Sequence, residues 1–266
     1  MKVEMKRLLL FPLVTLLSSC ALTDLSILPH STQQPAKIGL LVNQDLLTVG
    51  IPEVKPVIAI YPNSFTDLTG QRRSSDNFAT FSTAITQAPY VLLIGALNKT
   101  SNGKFFDVVE RIGLDNLTRE RQLIRSTRES FDQDQSLLPL KFAGLLIEGG
   151  VISYESNLRS GGTGARYLGI GSTSQYREDV VTVSLRLVSV STGTILIDVL
   201  TTKTILSVAI NQDLFRFVKD NTELVEIESG IAENESVNIA LQNAVETAVL
   251  EIISIGVTKG YWKIKP

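Results

Sequence analysis

The one thiol in this 266-residue chain, Cys20, directly follows Leu17-Ser18-Ser19. Small residues before a Cys fit the lipoprotein signal peptidase, and the thiol then takes a diacylglycerol as a thioether, which makes Cys20 the candidate lipidation site. The preceding residues agree: Lys2, Lys6 and Arg7 supply a charged start and Leu8 to Leu17 an apolar run. That run is too short to span a bilayer as a helix, so residues 1–19 read as a lipoprotein signal peptide. Each buried acyl CH₂ contributes about 0.8 kcal/mol, and two or three chains on Cys20 would hold the mature protein firmly on a membrane. Ala21 follows the Cys. In enterobacterial lipoproteins an Asp there favours inner-membrane retention, so Ala21 points to the outer membrane. Loss of the signal removes Lys2, Lys6 and Arg7 but only one acidic residue, Glu4, which leaves the mature chain mildly acidic.

Other residue types that could do chemistry find no context for it. With one His and one Cys the chain lacks the ligands for a Zn site of the His and Cys type and has no possible internal disulfide. His30 lies among Pro29, Pro35, Pro52 and Pro56 with no nucleophile motif beside it, and reads as a loop residue. Gly161, Gly162, Gly164, Gly169 and Gly171 invite a phosphate-loop reading, but Tyr167 occupies the last Gly position of a frame starting at Gly162 and no Gly-Lys-Ser/Thr follows. Glu226 and Glu228 read as a solvated strand face. Arg119, Arg121, Arg125 and Arg128 are interleaved with Glu120 and Glu129, and 25 basic residues against 27 acidic leave no surface for nucleic acid. No enzyme activity, cofactor or metal site is indicated.

The elements that hold these residues follow from periodicity. At 44% hydrophobic and 20% charged residues the chain can bury a sizeable core. Residues 20–56 read as a lipidated N-terminal tether and residues 57–266 as the folded domain. Val57 to Tyr61 is a β-branched run, followed by a polar loop over about 64–81. A helix is expected from Pro89 through Leu97, a strand over Phe105 to Val109, and a helix over Gly113 to Ser130 with Leu114, Leu117 and Ile124 on one face and the arginines largely elsewhere. Leu145 to Tyr154, Val180 to Val190 and Thr194 to Leu200 read as strands, the last two joined by a turn at Ser191-Thr192-Gly193. Val237, Leu241, Ala244, Ala248, Ile252 and Ile255 mark a core-packing C-terminal helix, not a membrane span. Alternating strands and helices give an α/β body.

One segment is poorly explained by a soluble domain. Thr202, Thr204, Leu206, Val208 and Ile210 alternate with Lys203, Ser207 and Asn211 over nine residues from Thr202 to Ile210. A membrane β-strand needs about 9–11 residues with this alternation. With a turn at Asn211-Gln212-Asp213, Phe215 and Phe217 continue the apolar face and Arg216 lies opposite. The candidate lipid-facing set is therefore Leu206, Val208, Ile210, Phe215 and Phe217. An amphipathic hairpin covering a soluble core has the same pattern.

The chain resembles the curli secretion channel family (CsgG). The likeness rests on the lipobox, Asp67-Leu68-Thr69-Gly70-Gln71, Phe81-Ser82-Thr83-Ala84, Ile147-Glu148-Gly149 with Tyr154-Glu155-Ser156-Asn157, Ser160-Gly161-Gly162 with Gly164-Ala165-Arg166-Tyr167, Ser191-Thr192-Gly193, Lys203-Thr204-Ile205-Leu206-Ser207 and Phe215-Arg216-Phe217, in that order. It implies an α/β (α+β) periplasmic domain carrying two amphipathic β-hairpins per subunit, here about 159–180 and about 200–223, which form an oligomeric transmembrane β-barrel. In the family about nine copies close a barrel of about 36 strands. The implied function is an outer-membrane channel for ATP-independent secretion of unfolded amyloid subunits. The implied partners are further copies of the chain, the unfolded client, a periplasmic adaptor, an extracellular nucleation-coupling protein and outer-membrane lipid. The alternative is a lipoprotein that forms no pore and binds envelope or cell-wall partners.

The resemblance also implies a pore constriction in the loop before Phe81, where the family presents a Tyr, an Asn and a Phe. Alignment on Phe-Ser-Thr-Ala puts Phe81 on the Phe, Thr80 on the Asn and Asp76 on the Tyr, so two of the three positions depart from the family. Asn77-Phe78 offers a second, shifted alignment.

Overall fold

The computed structural model describes residues 38–70, 85–131, 136–167, 170–217, 224–234 and 237–266, with 157–160, 166–167, 170–171, 209–217 and 224–234 described by their backbone alone. Cys20, His30, Asp76, Thr80 and Phe81 lie outside the described residues, as does most of the expected tether.

Seven strands form one sheet: β1 (Val57–Ala59), β2 (Phe65–Asp67), β3 (Asp107–Val109), β4 (Leu145–Tyr167), β5 (Ile170–Ser189), β6 (Ile195–Phe217) and β7 (Leu224–Asn234). Their order is β3-β1-β4-β5-β6-β7, with β2 also on β4. The β-branched residues around β1 are buried on both faces, with Ile58, Ala59 and Ile60 at most 1% exposed, as a strand between parallel neighbours requires. β1 and β2 pair in parallel with successive stretches of β4, at Leu145–Leu146 and Gly149–Val151. β2 lies inside the stretch expected to be all loop. From β4 onward the sheet is an antiparallel meander.

In the body the strands alternate with period two: Val181, Val183, Leu185 and Leu187 of β5 and Ile197, Val199 and Ile205 of β6 are buried. Helix α4 (Val237–Thr258) covers this face with Ala240, Leu241, Ala244, Val245, Ala248, Val249, Ile252 and Ile253. By length and composition α4 could cross a membrane, but its apolar residues are spent in the core. Helix α2 (Tyr90–Lys99) starts at Pro89, as expected, and packs on α4. Phe105 and Phe106 precede β3 and meet the edge of Trp262 at centroid distances of 5.9 and 6.2 Å. The indole Nε1 donates to Ile253 O at 3.2 Å.

Two expectations need correction. The body begins at Leu41, not at residue 57. Leu41 and Leu46 are buried, Asp45–Thr48 forms helix α1, and Asn43 N donates at 2.6 Å to the buried carboxylate of Glu246 on α4. Proline spacing suggested a tether, yet Leu41 and Leu46, with Leu47 and Val49 packed beside the core and Pro52 bridged to Ile264, dock the segment. On helix α3 (Leu114–Ser130) the partly buried stripe is Leu114, Leu117, Arg121, Ile124 and Arg128, so two of the four arginines share the apolar face. Arg121 Nη2 donates to Leu138 O at 2.6 Å, fixing the segment that leads to β4.

Packing around glycine gives a direct test. A Cβ on Gly149 would lie 1.9 Å from Ser184 O, at φ +155°, whereas one on Gly95 of α2 meets nothing within 4 Å. Gly149→Ala is expected to lower stability by about 2–3 kcal/mol or prevent folding, and Gly95→Ala to raise it by up to about 1 kcal/mol. Denaturant unfolding in detergent, followed by circular dichroism, checks both.

Candidate functional site

β4, β5 and β6 are 23, 20 and 23 residues long, far longer than the core beneath them needs. The strands expected to end near Tyr154 and begin near Val180 run on without a break in β-structure to Tyr167 and from Ile170. Ten residues of β5, from Ile170 to Asp179, lie beyond the last buried valine. They span about 33 Å, the thickness of a hydrocarbon core.

From Arg159 outward the pairing is one to one across all four strands. Arg159 faces Glu178 and Tyr167 faces Ile170; Ile170 faces Leu214 and Glu178 faces Leu206; Ser207 faces Asn234 and Phe217 faces Leu224. Paired residues share a face, so the register sorts the hairpin sequence into two sets. One face carries Gly161, Thr163, Ala165 and Tyr167 of β4, Tyr176, Ser174, Ser172 and Ile170 of β5, Val208, Ile210, Gln212 and Leu214 of β6, and Ile231, Ser229 and Ile227 of β7. Between the row of Glu178 and Leu206 and the row of Ile170 and Leu214 its one charge is Glu233 at the base; Arg216, paired with Val225, follows toward the tip. The opposite face carries Arg177, Gln175, Thr173, Asn211, Asp213, Arg166, Glu226 and Glu228, with Phe215, Phe217 and Leu224 toward the tip. Up to the row of Leu214 one face is largely apolar and the other largely polar.

Where side chains are described, they agree with this partition. Tyr176 and Leu206, on the apolar face, are 46% and 54% exposed. At the base of the polar face Asp179 is 1% exposed; Arg177 Nη2 lies 3.1 Å from its Oδ2, and the Tyr154 hydroxyl donates to the same oxygen at 3.4 Å. This cluster marks the level at which α4 gives way to a polar surface.

The grouping of Phe215 and Phe217 with Leu206, Val208 and Ile210 is corrected by the strand itself. β6 does not turn at Asn211-Gln212-Asp213; these residues pair with β5 on one side and β7 on the other. Phe215 and Phe217 therefore have the parity of Asn211 and Asp213. Turn-type residues misled because polar side chains on a one-sided sheet look like turn chemistry. The second hairpin is accordingly β6–β7, reaching Asn234 and not ending at Glu223.

The loop expected to form the constriction is represented by its two anchors. On one side Asp67 Oδ1 accepts from Thr69 N at 2.9 Å and Thr69 Oγ1 at 2.7 Å, just before Gly70 at φ +64°. On the other, Gln87 Nε2 donates to Asp67 Oδ2 at 3.3 Å, two residues beyond the buried Ile85. One carboxylate thus ties the departing and returning ends together. Asp67 stood in the family-like stretch Asp67 to Gln71, but spacing alone gave it no role.

Sequence comparison places the chain. Residues 41–266 match the family described as curli production assembly/transport component CsgG. The protein of that name from Citrobacter koseri is 38% identical over 266 residues, covering 98% of this chain and 92% of its own. The one from Escherichia coli K12 has the same identity and coverage. The chain belongs to the CsgG family. This is a transport and secretion family, not an enzyme family. Among solved structures, a PelC dodecamer from Paraburkholderia phytofirmans covers 59% of this chain and 78% of its own at 16% identity, with a TM-score of 0.26, too slight a likeness to bear on fold or assembly.

Asp67→Ala removes the shared acceptor at both ends of the loop and is expected to cost about 1–2 kcal/mol. Its signature is local: trypsin should cut at Arg72 and Arg73 several times faster than in the parent while the rest of the body keeps its resistance. Limited proteolysis with mass readout checks this.

Proposed function

We propose that this CsgG-family chain assembles into an outer-membrane channel through which unfolded amyloid subunits pass without ATP. The observation that carries the proposal is the division of the hairpin rows into a largely apolar face, with charges only toward its base and tip, and a polar one over the depth of a bilayer. In a barrel the first meets lipid and the second lines a wet lumen. Leu206, Val208 and Ile210, joined by Tyr176, Leu214, Ile227 and Ile231, would face lipid; Phe215 and Phe217 would lie toward the lumen end. Diacylglycerol on Cys20 would hold each copy at the membrane in which it must assemble.

Oligomerisation follows from the same geometry. β4 beyond Val151 and the outer side of β7 are the margins of the meander among the described residues. Unsatisfied backbone groups in lipid cost several kcal/mol each, so the hairpins can enter only when the edges of neighbouring copies close a ring. Phe81, with Thr80 and Asp76, would narrow the lumen: an aromatic ring gives an unfolded chain apolar contact without deep pockets, and the polar neighbours keep the pore wet. Direction would come from capture or folding outside, with a periplasmic adaptor and an extracellular nucleation partner at the two ends.

The test is single-channel recording of the full-length lipoprotein in planar bilayers. Stable large conductance is expected, rising in Phe81→Ala, with cation preference falling in Asp76→Asn. A membrane-bound, folded protein without conductance would instead support a lipoprotein that binds envelope partners. The two faces are tested separately. Ile210→Lys should cost about 2–4 kcal/mol per copy near the bilayer midplane and abolish insertion, whereas Asn211→Lys, one residue on, should leave insertion intact and shift ion selectivity.

A further inference from the structure

If adjacent copies join edge to edge, the strands that meet are β4 of one and β7 of the next. Their charges differ in sign. Over Leu158 to Tyr167 the charged residues of β4 are Arg159 and Arg166; over Leu224 to Asn234 those of β7 are Glu226, Glu228 and Glu233. Two β4 edges brought together would oppose arginines, and two β7 edges would oppose glutamates, so only the head-to-tail seam is complementary. Such a seam propagates in one direction and closes into a ring.

The register of that seam is a separate question, and β4 itself specifies it poorly. Between the arginines it reads Ser160-Gly161-Gly162-Thr163-Gly164-Ala165, a small-residue stretch of the kind prone to slippage. The glycines are already committed inward: a Cβ on Gly161 would lie 2.6 Å from the Tyr176 ring and one on Gly162 2.8 Å from Ser174 O. Side-chain bulk at those positions is unavailable for reading a neighbour.

Two constraints narrow the choice. Face continuity requires apolar rows to meet apolar rows, which allows only shifts by two residues. Closure requires a stagger, and within one chain the row runs straight from Ser160 through Arg177 and Ser207 to Asn234. Joining Asn234 to Ser160 of the next copy would give no stagger, so the seam itself must supply it.

We infer that the seam is staggered by two residues, with Arg159 opposite Glu233 and Arg166 opposite Glu226 of the neighbouring copy. This is the staggered register in which both arginines meet a glutamate of β7. One residue pair lies on each face: Arg159 and Glu233 at the base of the apolar face, Arg166 and Glu226 toward the tip of the polar face. In its own chain Arg166 pairs with Gly171 and Glu226 with Phe215, so neither has a charged partner on the adjacent strand. The same register sets Gly161 against Ile231 and Ala165 against Ile227, small against large. The inference rests on the channel reading and specifies how its subunits recognise one another.

Disulfide trapping in the assembled, full-length protein tests it. In this register Thr163 faces Ser229 of the next copy, while within one chain the two are three strands, about 14 Å, apart and cannot bridge. Oxidation of Thr163→Cys/Ser229→Cys should give a ladder of covalent oligomers, with conductance retained. Thr163→Cys/Ile231→Cys reports the unstaggered seam and Thr163→Cys/Ile227→Cys a four-residue stagger; both should cross-link at least tenfold less. Independently, Arg166→Glu should lower oligomer yield roughly fivefold, and Arg166→Glu with Glu226→Arg should restore it. Preferential trapping of either shifted pair, or failure of the charge exchange to restore assembly, overturns the register and leaves the channel standing. Conductance with no trapping in any pair overturns the β4–β7 seam. Neither trapping nor conductance overturns the channel reading and the seam with it.

Discussion

A backbone N–H or C=O cannot be left unpaired in hydrocarbon, and the meander of β4 to β7 has two margins. On the proposed reading everything distinctive about the chain answers that constraint. The hairpins are too long for the core they grow from, and their outer rows gain nothing by staying in water as a lone four-stranded ribbon. Only a closed ring of copies satisfies both margins at once. Assembly and insertion are then one event, and a lipid anchor that concentrates the copies in two dimensions before they meet is a physical part of the mechanism, not an address label.

The same strands invert their pattern along their length, which on the proposed reading lets them serve two solvents. In the body the odd-numbered residues of β5 are buried under α4 and the even-numbered ones, such as Ser184 and Arg186, are more exposed. Beyond Asp179 the odd positions become Arg177, Gln175 and Thr173, and the even ones, after Glu178, are Tyr176, Ser174 and Ser172. β6 does the same after Ile205, passing from Ile197 and Val199 on the covered face to Leu206, Val208 and Ile210 on the other. The register between β5 and β6 does not slip at either point, whereas β4 carries an irregularity between Glu155 and Arg159, opposite Asp179. The face that packs helices in the body is thus the polar face of the hairpin, and the buried Asp179, with Arg177 and Tyr154 as partners, sits at the change of phase.

That inversion explains which parts could be read from the residues and which could not. The core helices announce themselves: Pro89 opens α2, and the spacing from Val237 to Ile255 gives α4 its face. The strand Val57 to Ala59 is equally plain from β-branching. A strand whose apolar phase flips, however, looks as if it ends, which is why β4 and β5 read as the short strands Leu145 to Tyr154 and Val180 to Val190. For the same reason Asn211-Gln212-Asp213 reads as a turn when it is the middle of β6. The N-terminal segment failed differently: Leu41 and Leu46 show no periodicity, and their burial, with Asn43 held by Glu246, is a tertiary fact. The clamp at Asp67 is legible only once Gln87 is brought beside it.

On the proposed reading hydropathy alone would choose the wrong segment for the membrane. Among the described residues α4 is the helix apolar enough to cross one, yet more than half of its most hydrophobic window is buried in the body. The hairpin faces are weaker by composition, containing Gly161, Thr163, Ser172, Ser174, Gln212 and Ser229 among their apolar residues. In the proposed channel, what fits them for lipid is that one face carries charge only toward its base and tip while every backbone group can find a partner by lateral closure. An uncharged half-apolar surface that is hydrogen-bonded throughout crosses more cheaply than a greasier one with open edges. On the proposed reading a division of labour follows: the most hydrophobic described helix builds the scaffold, and the strands that can be closed build the pore.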